Sequence, residues 1–156
     1  MPDVAIQRTP HGYLLRAECV VPRPSDEIFA FFADATNLEE LTPPWIRFSV
    51  TTSPPIEMRP GLLIDYKLRI RGVPMRWQSE ITAWDPPRRF VDESRRGPYK
   101  FWHHEHRFEP TAEGTRVIDE VNYGVPGGAL IHWLLVSRDI AKIFRYRQAK
   151  LSELFG

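Results

Sequence analysis

The chain has 156 residues, 42% of them hydrophobic and 26% charged, which suits one globular domain large enough to bury a core without cross-links. Its 21 basic and 20 acidic residues leave a net charge of +1, so nothing points to nucleic acid, and its one cysteine, Cys19, excludes an internal disulfide. The opening residues lack a basic stretch followed by an apolar run, and the apolar run from Ala129 to Val136 is too short to cross a bilayer. The expectation is a cytoplasmic protein with no transmembrane segment.

In chain order, the first strong signal is two-residue alternation at Tyr13, Leu15, Ala17, Cys19 and Val21, the mark of a strand with one buried face. Pro24-Ser25-Asp26-Glu27 then offers a capping residue and first-turn acids ahead of Ile28, Phe29, Phe31 and Phe32, which predicts a short helix. A second helical piece covers Asn37 to Leu41 and stops before Pro43-Pro44. Ile46, Phe48 and Val50 fit a short strand. Alternation returns at Leu62, Ile64, Tyr66, Leu68 and Ile70, and again at Met75, Trp77, Ser79 and Ile81. Phe90, Phe108 and Val117 anchor three more strands, separated by turn signals such as Arg71-Gly72, Asp85-Pro86-Pro87 and Glu113-Gly114.

That gives about seven strands joined by short connections, which favours an antiparallel meander. From Gly128 to about Phe155 nothing breaks a helix, and Leu130, Leu134, Ile140, Phe144, Leu151 and Phe155 are read as its apolar stripe. Such a helix would be roughly 40 Å long and needs a broad sheet to cover it. The predicted order is strand, two short helices, six strands and a long helix. The fold class is α+β, a curved antiparallel sheet wrapped around a long C-terminal helix, in one domain spanning residues 1–156.

This order resembles the helix-grip fold of the START-like, or SRPBCC, superfamily, which includes polyketide cyclases, aromatases and lipid carriers. Three runs carry the resemblance to a bacterial subgroup: Trp77, Ile81, Asp85-Pro86-Pro87, Phe90 and Asp92; Gly97-Pro98-Tyr99, Trp102, His104, His106 and Phe108; and Gly114-Thr115, Asp119, Val121, Tyr123, Pro126 and Gly128. The resemblance implies a hydrophobic small-molecule ligand held between sheet and helix. It does not choose among chemistries, because one fold hosts carriers and enzymes alike.

Alternation also assigns faces. If Phe108 points inward, so do Trp102, His104 and His106, while His103, Glu105 and Arg107 point outward. By the same rule Asp92 and Ser94 follow Phe90, and Asp119, Val121 and Tyr123 follow Val117, although Ile118 competes for that buried face. The expected ligand-binding wall is Tyr66, Trp77, Trp102 and Tyr123 with a polar cluster of Asp92, His104, His106 and Asp119. Three readings of the cluster stand open: a structural hydrogen-bond network, recognition of a ligand's polar end, or catalysis by a histidine whose pKa an aspartate tunes.

His104-Glu105-His106 is an H-x-H pair that could bind a metal with Asp92 or Asp119, but no cysteine or second His pair supports it, so neither metal nor other cofactor is expected. Arg145, Arg147 and Lys150 are read as the solvated basic side of the last helix, which a membrane surface could also touch. Walker, dinucleotide and nucleophile-elbow motifs are absent. Binding or carriage of a lipophilic molecule (a lipid, isoprenoid, quinone or polyketide) is the leading expectation. A cyclase, aromatase or dehydratase using His104, His106, Asp92 and Asp119 is the alternative, and a ligand-responsive interaction protein is the third. A monomer or homodimer is expected.

Overall fold

The computed structural model describes residues 3–156. Eight strands form one antiparallel sheet in the order β1-β2-β8-β7-β6-β5-β4-β3. They are β1 (Asp3–Arg8), β2 (Tyr13–Val21), β3 (Ser49–Val50), β4 (Leu63–Ile70), β5 (Val73–Asp85), β6 (Arg89–Arg96), β7 (Phe101–Thr111) and β8 (Gly114–Gly124). Helices α1 (Ser25–Ala33) and α2 (Leu38–Leu41) follow β2. The chain closes with α3 (Gly128–Ile131), a π turn over His132–Val136, and α4 (Ser137–Phe155).

The helix-grip arrangement follows from the alternation. Ile64, Tyr66 and Leu68 of β4 are buried, while Leu63, Asp65, Lys67 and Arg69 are exposed. Two register shifts in β5, at Gln78/Ser79 and Ile81/Ala83, mark irregularities of the kind that bend a strand. The concave side is filled by two apolar clusters. One joins Phe29, Phe32, Phe90, Phe108 and Leu151; the other joins Tyr13, Leu15, Val121, Tyr123, Ile140 and Phe144. Residues of α4 belong to both, so the helix holds the two halves of the core together.

Four details depart from the sequence expectation. There are eight strands rather than about seven, because Asp3–Arg8 pairs with β2 through a register of Val4↔Ala17 and Ile6↔Leu15. Ile46 lies in a short 3-10 turn (Pro44–Ile46) that Pro44 starts and Arg47 ends at φ 50°, which leaves only Ser49–Val50 as β3. No side chain caps the start of α1, where Pro24 takes the flanking position. Most consequentially, Leu130 and Leu134 are 70% and 58% exposed and do not belong to the apolar stripe. The gap from Leu134 to Ile140 is six residues, which is out of phase with 3.6 per turn, and the π turn between them adds to the change of face.

Ile118 is also buried although its neighbours Val117 and Asp119 take the inner face; it stands in register with Glu18 and Arg107 on the outer side. Ion pairs there link Arg16 to Glu120, Arg107 to Glu120 and Glu105, and Arg89 to Glu105. Long charged side chains of this kind cover apolar surface with their stems.

Candidate functional site

Three neighbouring strands and one helix bring five polar side chains to one place inside the fold. β6 supplies Asp92, β7 supplies His104 and His106, β8 supplies Asp119, and α4 supplies Arg147. The backbone register sets Asp92 opposite His104 and His106 opposite Asp119. The side chains bond diagonally instead: His106 Nε2 lies 2.6 Å from Asp92 Oδ2, and His104 Nε2 lies 2.8 Å from Asp119 Oδ1. The two imidazoles stack at 3.7 Å and 22°, and Phe90 extends the stack on His106 at 4.0 Å.

Arg147 completes the cluster. Its guanidinium is 3.4 Å from Asp119 Oδ2 through Nε and 3.3 Å from His106 Nδ1 through a terminal nitrogen. Phe32 lies beneath it at 5.2 Å, within cation–π reach. Because arginine only donates, His106 Nδ1 must accept, so the proton of the neutral ring is on Nε2 and points at Asp92. His104 Nε2 donates to Asp119 in the same way. His104 Nδ1 turns toward Asp92 Oδ2 at 3.9 Å.

These contacts set the charges. Burial alone would raise Asp119, but the charge of Arg147 and then the His104 hydrogen bond outweigh it and hold the carboxyl well below the usual range. Asp92 is likewise lowered, with burial opposed by the His106 hydrogen bond and the neighbouring His104. His106 is pushed down to about 4, first by burial and then by His104, against the pull of Asp92. Near neutral pH both carboxylates are therefore ionised and His106 is uncharged.

The cluster borders a cavity of about 170 Å³ between sheet and α4. Asp92, His104, His106 and Arg147 form its polar side; Leu68, Trp77, Trp102, Ile140, Ile143 and Phe144 are among its apolar walls. Tyr66 also lines it, next to Phe48 at 4.8 Å, and Trp77 donates its indole N–H to Ser79 at 3.0 Å. A second volume of about 280 Å³ shares Ile46, Ile70, Tyr99 and Ile143 with the first and opens outward past Trp45, Arg71, Pro126 and Lys142. The two make an inner chamber and a vestibule. An Arg71–Asp139 pair, bonded twice at 3.0 Å, spans the vestibule wall.

Of the eight side chains that the sequence assigns to the wall, six line the chamber: Tyr66, Trp77, Asp92, Trp102, His104 and His106. Asp119 stands behind the histidines. Tyr123 packs behind Tyr99 and Trp102, and its hydroxyl meets His132 Nε2 at 2.8 Å. His132 is fully buried and stacks on Tyr13 at 3.4 Å, which pins the π turn to β2.

Arg147 corrects its sequence reading. It is 8% exposed and belongs to the site, not to a solvated basic face. The signal was there: Ile140, Phe144, Arg147 and Leu151 are spaced four, three and four residues apart, so Arg147 falls on the buried stripe.

Ligand atoms of Asp92, His104 and His106 lie within 4.8 Å of one another. His106 Nε2, however, is already bonded to Asp92, and the Arg147 guanidinium sits against the same ring. A metal ion would have to displace the Asp92–His106 bond beside that guanidinium, which favours a hydrogen-bond network.

Comparison with known proteins places this geometry in a wider group. A family model described as polyketide cyclase / dehydrase and lipid transport matches residues 21–145. Among solved structures, protein Ms6760 of Mycobacterium smegmatis superposes with a TM-score of 0.71 at 19% identity, over 97% of this chain and 97% of its own. Protein CV1439 of Chromobacterium violaceum gives 0.72 at 14% identity, over 91% and 96%. Protein TTHA0849 of Thermus thermophilus gives 0.64 at 23% identity, over 90% and 94%. At these identities the likeness is one of fold. No curated protein matches the sequence.

Proposed function

The chain belongs to the polyketide cyclase / dehydrase and lipid transport family, and from that premise we propose that it binds and carries a lipophilic molecule with a hydroxyl or carbonyl at one end. One observation supports this above the rest: an apolar chamber of about 170 Å³ has a single polar side, made by Asp92, His104, His106 and Arg147. That volume is close to an engineered cavity of about 150 Å³ known to take benzene, so the chamber suits one ring. A ring in the chamber and a tail in the vestibule describe a phenol, a quinone, an isoprenoid or a small polyketide. Asp92 lines the chamber with a carboxylate that only accepts hydrogen bonds, which favours a hydroxyl that donates to it.

Native mass spectrometry of freshly purified protein, compared with the denatured sample, tests the reading. A mass excess in the range of such an amphiphile is expected. Ile143 forms part of the wall shared by chamber and vestibule, so Ile143→Trp should abolish the excess at a cost in stability of no more than about 1–3 kcal/mol. A protein with no mass excess that also binds no apolar ring compound at micromolar levels would end the proposal.

A second reading has its own support. His104, oriented by Asp119 and facing the chamber, has the arrangement of a general base beside a substrate carbonyl. In a cyclase or dehydratase it would take a proton from the carbon next to that carbonyl. The two readings part on His104→Gln: the carrier keeps most of its affinity, whereas turnover of a true substrate falls by about a hundredfold or more.

A further inference from the structure

The rim of the vestibule carries two features that ligand burial does not use. The first is an apolar tip at the start of the long helix. Leu130, Trp133 and Leu134 are 70%, 50% and 58% exposed, Ile131 and Leu135 are 37% and 40% exposed, and of the residues from 130 to 135 only His132 turns inward. The second is a cationic groove of about 470 Å³ on the outer face beside the β4–β5 hairpin. Arg47, Lys67, Arg69 and Arg76 line it, no acid does, and none of the four is ion-paired among the described residues. In a chain whose net charge is +1, that is a pronounced local excess.

Groove and tip belong to the same end of the molecule. Met75 borders both the groove and the vestibule, and Val125, Pro126 and Val136, which flank the tip in the chain, line the vestibule too. Lys142 carries the positive charge across the mouth. Asp139 is the single acid in either lining, and Arg71 already neutralises it at 3.0 Å.

We propose that this end docks on an anionic lipid bilayer, with the apolar tip at the boundary of the acyl chains and the arginines among the phosphates. A bilayer fits both features at once. Side chains that radiate around a helical turn, a tryptophan among them, are buried together by a fluid apolar phase rather than by one flat surface. Headgroup phosphates answer the unpaired cations. A second copy fits poorly, because a two-fold contact at this end would set cationic groove near cationic groove. The docked orientation turns the vestibule toward the membrane, so a lipophilic ligand could pass between bilayer and chamber without crossing water. That last consequence rests on the carrier reading above; the docking itself does not.

Cosedimentation with large vesicles tests the docking. Binding is expected on phosphatidylcholine vesicles containing about a third phosphatidylglycerol, and should weaken about tenfold or more on pure phosphatidylcholine or in about 0.5 M salt. Leu130→Glu with Leu134→Glu, and separately Arg69→Glu with Arg76→Glu, should each reduce it at least about tenfold, since all four residues are exposed and the melting temperature should hold. Ile143→Trp should sediment like the unmodified protein, so a failed ligand reading leaves the docking result standing. Absence of binding to anionic vesicles at low salt would overturn the proposal, as would binding indifferent to both double substitutions. A dimer in solution that the leucine pair dissociates would overturn it too, by assigning the tip to a second copy.

Discussion

Arg147→Leu is expected to lower the unfolding free energy by about 3–5 kcal/mol, a fall of roughly 10 °C in melting temperature for a chain of this size. The loss comes less from the arginine than from what it leaves behind. Asp119 is 1% exposed and keeps its bond to His104 on one oxygen, but the other oxygen, which faces the guanidinium at 3.4 Å, would be left without a cation. His106 would also lose the donor on its Nδ1. Denaturant melts of three variants separate this cause from simple loss of packing. Arg147→Leu combined with Asp119→Asn should recover a large part of the deficit, because the buried charge goes with its partner. The nearby Arg145→Leu, on the exposed side of the same helix, should stay within about 0.5 kcal/mol of the parent. A single Arg147→Leu variant that loses less than about 1 kcal/mol would show that Asp119 does not depend on the helix for its charge balance.

Acid should destabilise the fold well before its carboxylates titrate. His106 is held at about 4 in the folded chain, whereas an unfolded histidine titrates near 6.5. Between those values the unfolded state binds the extra proton and the folded state does not, so stability falls as pH falls through this window. The displacement corresponds to about 3 kcal/mol. Below it Asp92 and Asp119, both depressed when folded, extend the decline in the same direction as they protonate. Urea melts at about pH 7.5, 5.5 and 4.5 read the effect. His106→Gln should be less stable than the parent at pH 7.5 and yet show a shallower decline below it. His132, which burial also lowers, should keep the residual slope above zero. Parallel declines in the two proteins would mean that the proton is taken up elsewhere.

How much of this was legible in the sequence varies with the kind of interaction. Faces were legible: Trp102, His104, His106 and Phe108 line up on one side of β7 because a strand has no choice but to alternate. Partners were not. That His106 stands opposite Asp119 yet bonds to Asp92 depends on hairpin register and on ring tilt, neither of which side-chain spacing encodes. Arg147 was hidden by its own chemistry, since a cation on a helix is ordinarily solvated and only the spacing to Phe144 and Leu151 argued otherwise. The reverse error hid Leu130 and Leu134, apolar residues whose phase, not type, puts them outside. Asp3–Arg8 escaped notice because Val4 and Ile6 give only two apolar positions, too few to establish a period. The chamber's size was beyond any sequence argument, because it depends on how closely α4 approaches the sheet.

Each carboxylate of the cluster reaches past its own backbone partner to the histidine two residues along, so sliding β7 by two residues either way would set Phe108 or Trp102 where one histidine stood and strand one carboxylate inside the fold. Mutations that disturb these four positions are therefore penalised through assembly, whatever the cavity holds. A relative with a differently shaped cavity would still need Asp92, His104, His106 and Asp119 to hold its strands in this register. A relative carrying the same quartet has the same way of fixing its strands.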